Sequence, residues 1–143
     1  MYKVTREFKF EAAHRLHKLP SNHPCSNLHG HSYVVKVTLE CDTLNDVGFI
    51  IDFGELKNFQ KWLDENMDHA VILCQDDLMT GYITNGPAKT KMYIMEDVSS
   101  AENMAKLFAE MISSNVKCEN PLSSIEVKVW ETVKNCATYT LNL

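Results

Sequence analysis

The sequence predicts an α+β domain in the order β-β-α-α-β-β, with a four-stranded antiparallel sheet and both helices on one of its faces. Three observations predict it. Apolar residues alternate with polar ones near both ends of the chain, two central stretches show helical apolar spacing, and 143 residues are enough for one core but not two.

Each element follows in order. Residues 2–10 set Val4, Phe8 and Phe10 against Lys3, Thr5, Glu7 and Lys9, the pattern of a half-buried strand. From Ser32 to Cys41, Val35, Val37, Leu39 and Cys41 alternate with Val34, Lys36, Thr38 and Glu40, and β-branching favours an extended backbone there. The loop between them, punctuated by Pro20, Asn22, Pro24 and Asn27, lets the two strands pair. Beyond Gly48 to Gly54, the spacing of Leu56, Phe59, Leu63 and Met67 predicts the first helix. Ser99-Ser100-Ala101-Glu102 reads as a capping box, and Met104, Leu107, Phe108, Met111 and Ile112 form the apolar stripe of the second. Two strands close the chain, carried by Ile125, Val127 and Val129 and then by Ala137, Tyr139, Leu141 and Leu143, with Val133-Lys134-Asn135 as their turn. Residues 74–95 hold Asn85-Gly86-Pro87 and Lys89-Thr90-Lys91 without sustained period, so a long loop, irregular hairpin or insertion is expected inside one domain spanning 1–143. Four strands leave two open edges, which makes self-association the natural expectation.

Composition narrows the function. A net charge of −5 argues against nucleic acid or an anionic membrane as partner, so an anionic substrate requires a locally basic pocket. No apolar run approaches the roughly 18 residues that span a bilayer, and the first residues lack the apolar stretch of a secretory signal. A cytoplasmic protein is the expectation. Cysteines 25, 41, 74, 118 and 136 form an odd, scattered set without a C-x-x-C pair, which points to thiols rather than to a disulfide framework.

The chemistry lies in the histidines. His29 and His31 flank Gly30, so on an extended backbone both rings share a face, and His14 stands at the end of the first strand, which the hairpin brings alongside. Three neutral imidazoles suit zinc and leave a tetrahedral position for substrate. His17 or His23 could replace one of the three. Cys25, four residues before His29, is either a thiolate base acidified by the ion or a fourth ligand that closes the site. Asp68-His69 follows the first helix, where neighbouring residues do not share a face, and the dipeptide alone reads as a helix-end histidine. Glu131-Thr132 ends the third strand, a place where a carboxylate can be solvated or can accept paired N–H donors.

Taken together, Phe10-Glu11-Ala12-Ala13-His14-Arg15-Leu16, Cys25-x-x-x-His29-Gly30-His31, Ile51-Asp52-Phe53, Met67-Asp68-His69, Ser100-Ala101-Glu102-Asn103 and Trp130-Glu131-Thr132 resemble the 6-pyruvoyltetrahydropterin synthase superfamily. The three-residue gap between Cys25 and His29 is similar to the 6-carboxytetrahydropterin synthase branch, which serves 7-deazaguanine (queuosine-type) biosynthesis. The resemblance implies a T-fold whose sheets join into a barrel, as a homohexamer built from two trimers. It implies 7,8-dihydroneopterin triphosphate as substrate, with 6-carboxy-5,6,7,8-tetrahydropterin, acetaldehyde and triphosphate as products. It further implies zinc on His14, His29 and His31, Cys25 as base, and Asp68 and His69 as acid/base partners supplied by a neighbouring subunit. Glu131 and Thr132 would grip the pterin beside Ser100, which stands where the family usually has threonine, and Arg15 and Lys18 are expected to hold the triphosphate. Two other readings remain: the same chemistry stopped at the 6-pyruvoyl product, and a non-catalytic pterin- or zinc-binding module.

Overall fold

The computed structural model describes residues 1–143. Strand β1 (Tyr2–His14) and strand β2 (His29–Cys41) form a long antiparallel hairpin in which His14 lies opposite His29 and Ala12 opposite His31. Strands β5 (Ser124–Thr132) and β6 (Asn135–Asn142) continue the sheet beyond β2. On the other side, two short strands, β3 (Ala70–Cys74) and β4 (Met92–Met95), run parallel to the end of β1. The sheet is therefore six-stranded, in the order β4-β3-β1-β2-β5-β6.

Helices α1 (Lys57–Asn66) and α3 (Ala101–Asn115) supply the apolar faces that cover the sheet. Phe8, Phe10, Tyr33, Val35, Val37 and Leu39 on the strands meet Phe59, Leu63, Met104, Phe108 and Ile112 in one buried cluster. Phe108 anchors it, with Phe10 and Phe59 both edge-on to its ring. The periodicity thus buries the expected face on every long element.

The fold class stands as expected, α+β, while the stretch expected to be irregular is more ordered than its sequence suggested. β3 runs into this stretch at Cys74, and residues 74–95 then hold helix α2 (Leu78–Asn85) and β4 instead of a loop. Parallel strands covered on both faces carry no polar alternation, which is why Ala-Val-Ile-Leu-Cys did not announce a strand. Helix α2 is capped by Asp77, whose carboxylate accepts from the Met79 N–H at 2.9 Å. The cap of α3 lies one residue later than the capping-box reading: Ser100 accepts from the Asn103 N–H, and Ser99 is fully buried instead.

Candidate active site and metal centre

The hairpin register does most of the assembly. One ligand nitrogen from each of His14, His29 and His31 converges with the other two within 4.8 Å. His14 is 1% exposed, whereas the other two rings are half-buried. Cys25 sulfur is outside this set, so the geometry favours a three-histidine group over a site closed by cysteine.

Backbone carbonyls fix two of the rings. The His14 Nδ1–H donates to the Ser99 carbonyl at 2.6 Å, and the His29 Nδ1–H donates to the Asn27 carbonyl at 2.7 Å. Both rings are thereby held in the tautomer whose Nε2 lone pair is free, as a metal ligand needs. His14 Nε2 and His31 Nε2 are buried without any hydrogen-bond partner. Burial, together with the neighbouring His29 and His31, pushes His14 down to about 4, against the pull of the Ser99 carbonyl. Burial likewise lowers His31. Neutral imidazoles with unpartnered, converging nitrogens fit a divalent transition metal such as zinc.

Glu131 reaches the same place. Its Oε1 lies 3.7 Å from His14 Nε2 and its Oε2 3.9 Å from His31 Nε2, at the rim of the cluster. Thr132, the last residue of β5, is exposed beside it. Ser100 caps α3 immediately after the carbonyl that orients His14.

The remaining expected residues are placed as follows. Cys25 sits in a short 3-10 turn, Pro24–Ser26, pinned by its carbonyl, which accepts from the Leu16 N–H at 2.8 Å. His23 caps that turn, its Nδ1 accepting from the Cys25 N–H, and is exposed. His17 stays off the cluster, with its Nδ1 buried and unpaired. Asp68 and His69 form a hydrogen-bonded pair after all, with the His69 Nδ1–H donating to Asp68 Oδ2 at 2.8 Å. The helix ends before them, and His69 adopts a left-handed backbone at φ 59° that turns its ring back to its neighbour. Asp68 also accepts from the Glu11 N–H at 2.8 Å, and these bonds hold its carboxyl below the usual carboxylate range. The His69 side chain is 78% exposed and borders an open hollow of about 410 Å³ that includes an edge of His31.

Arg15, expected to hold triphosphate, is paired with an acid in the structure. Its Nε and Nη2 each donate to the Asp77 carboxylate at 2.7 Å, a bidentate pair whose acid is fully buried. A guanidinium so neutralised has little charge left for an anion. Lys18 is exposed and forms no ion pair. Sequence reasoning missed Asp77, the Ser99 and Asn27 carbonyls, and Tyr33, whose inward position on β2 follows from the same alternation that aligns His29 and His31.

The family model described as 6-pyruvoyl tetrahydropterin synthase matches residues 3–142. The chain belongs to that family. Among relatives of this 6-pyruvoyl tetrahydropterin synthase family member is the 6-carboxy-5,6,7,8-tetrahydropterin synthase of Rickettsia conorii, 34% identical over 137 residues, which span 95% of this chain and 97% of the relative. An uncharacterized protein from Wolinella succinogenes is similar in structure, with a TM-score of 0.79, 25% identity, and coverage of 96% of this chain and 97% of its own. The 6-pyruvoyl tetrahydropterin synthase of Plasmodium vivax shares the fold at a TM-score of 0.74 and 20% identity, over 99% of this chain and 98% of its own. The T-fold of the family and its enzymatic pterin chemistry are therefore the frame for the site.

Proposed function

We propose that this protein is a zinc-dependent carbon–oxygen lyase, a 6-carboxy-5,6,7,8-tetrahydropterin synthase. It acts on 7,8-dihydroneopterin triphosphate to give 6-carboxytetrahydropterin, acetaldehyde and triphosphate. The observation that carries this reading is the cluster of His14, His29 and His31, with the tautomers of His14 and His29 set by backbone carbonyls and with two buried Nε2 atoms lacking any other partner. The relatives named as 6-carboxy enzymes and the short Cys25–His29 gap favour the 6-carboxy product over the 6-pyruvoyl one.

Zinc held by the three imidazoles supplies a Lewis acid for the hydroxyls of the substrate side chain. Glu131, with Thr132 and Ser100 nearby, grips the 2-amino and N3 edge of the pterin through paired N–H contacts. Cys25 removes the side-chain proton as thiolate. Asp68 fixes the His69 ring through Nδ1, which leaves Nε2 to carry a proton to or from the reacting carbons. An exposed His69 ring is suited to serve the site of a neighbouring subunit, and the open edges of β4 and β6 are suited to join sheets into the barrel of a homohexamer. Lys18 attracts the triphosphate. No helix is long and apolar enough to cross a membrane, and we place the enzyme in the cytoplasm.

Incubation of the zinc-loaded protein with 7,8-dihydroneopterin triphosphate tests the reading, with products followed by mass spectrometry. Acetaldehyde and a 6-carboxypterin are expected. A 6-pyruvoyl product without acetaldehyde would establish the sister activity, and no product at all would leave a binding module. Cys25→Ala should lose turnover and retain zinc, because its sulfur lies outside the histidine set.

A further inference from the structure

We infer that Tyr33 is a positioning residue of the pterin site, its hydroxyl donating a hydrogen bond that orients the Glu131 carboxylate for the substrate. The inference rests on the proposed role of Glu131 as the pterin grip and extends it inward by one residue.

Tyr33 is 1% exposed, and its hydroxyl is buried without a partner. Its ring stacks on Phe10, with centroids 4.7 Å apart and planes 7° apart, and stands edge-on to His31 at 5.4 Å and to His14 at 5.9 Å. Phenylalanine would fill that slot equally well and bury no unmatched donor. The hydroxyl is therefore left without a partner in the metal-free arrangement of the site.

The neighbourhood limits the choice. His14 Nε2 and His31 Nε2 also lack donors, but those lone pairs are the ones a metal takes. Glu131 is the acceptor that remains. Strands β2 and β5 pair antiparallel up to Val34 opposite Trp130, and Tyr33 and Glu131 are the residues immediately beyond that last pair, Glu131 lying where β5 bulges against β6. A phenol is protonated near neutral pH, so Tyr33 offers its hydroxyl as a donor to a carboxylate. At present the Glu131 oxygens lean towards His14 and His31, into the space that an ion claims. A bond to Tyr33 holds one side of the carboxylate and leaves its remaining lone pairs aimed at the amino and ring N–H of a pterin. Preorganisation of this kind is gained as affinity.

Tyr33→Phe, Glu131→Gln and the double variant are prepared zinc-loaded, with neopterin, which lacks the triphosphate, as the binding probe. Tyr33→Phe should weaken neopterin by on the order of tenfold to a hundredfold, as loss of a hydrogen bond to a charged group predicts. KM should rise with little change in kcat, while zinc content and the melting temperature of the metal-free chain stay at wild-type values. In the Glu131→Gln background the same substitution should cost much less. A slowly exchanging phenol proton resonance should be present in the zinc-loaded wild type and absent from Tyr33→Phe and Glu131→Gln. Wild-type neopterin affinity in Tyr33→Phe, or losses that simply multiply in the double variant, would overturn the inference. Wild-type protein that binds zinc but no neopterin would refute the functional reading instead, and the proton resonance would still report on the Tyr33–Glu131 bond.

Discussion

Acidifying the metal-free protein should destabilise it through His14, in a window the structure defines. In the unfolded chain this imidazole takes up a proton as pH falls through 6.5, whereas in the folded chain burial and the adjacent imidazoles keep it neutral down to about 4. Between those values the unfolded state binds more protons, so stability is complete above the unfolded value and is lost as pH falls towards the folded one. At about 1.4 kcal/mol per pH unit, His14 should cost about 2 kcal/mol by pH 5 and about 3 kcal/mol by pH 4. His31 is lowered by burial as well and acts with the same sign. Urea unfolding of the metal-free protein across this range gives the slope, and His14→Gln isolates the contribution because glutamine takes up no proton. The variant should show a shallower loss of stability on acidification. Equal slopes in variant and wild type, or a His14 ring that titrates near 6.5 by NMR, would refute the buried neutral imidazole on which the ligand assignment depends.

The other expectations address the supports of the site. Arg15→Ala strands the Asp77 carboxylate, which is fully buried, and should cost about 2 kcal/mol once the partial exposure of the guanidinium is discounted. Thermal melting reads that loss, and Arg15→Ala with Asp77→Asn should recover part of it; an unchanged melting temperature in the single variant would contradict the pairing. Asp68→Asn removes the charged acceptor of the His69 Nδ1–H while an amide oxygen can still accept from Glu11. Turnover should fall on the order of a hundredfold, with zinc content and circular dichroism retained, and wild-type turnover would remove the pair from the chemistry.

The parts of the fold that could be read from sequence share one property, a face defined by local period. Phe8, Phe10, Val35, Val37 and Leu39 are buried because alternation sends every second side chain inward. The same parity puts His29 and His31 on one side, and the hairpin then brings His14 opposite His29. The convergence of the three histidines was legible for that reason. Residues 70–95 were not, since β3 is apolar without alternation and α2 carries Thr80, Gly81 and Thr84, weak helix formers held by tertiary contact. The Asp68–His69 pair depends on a positive φ at a non-glycine residue, which no pattern of residue types discloses. Nor could the partners of His14 and His29 be read, because a backbone carbonyl belongs to every residue and its direction is settled only by the fold.

These unreadable contacts bear on the histidine cluster through a short chain of bonds. Ser99 orients His14 with its carbonyl and donates its hydroxyl to the Arg15 carbonyl at 3.2 Å, so the start of α3 grips two consecutive residues of the ligand strand. Arg15 in turn clasps Asp77, and Asp77 caps α2. Parallel pairing of His14 with Ile72 ties the same strand end to β3. The most buried ligand is thus held from the sheet, from α3 and from the segment 70–95, whereas His29 is fixed by a carbonyl two residues away in its own loop. A ligand held from three directions has little freedom to follow a metal, and one held locally has more. Adjustment on metal binding should therefore fall on His29 and His31, whose ring has no hydrogen bond at all, with His14 as the fixed point of the site.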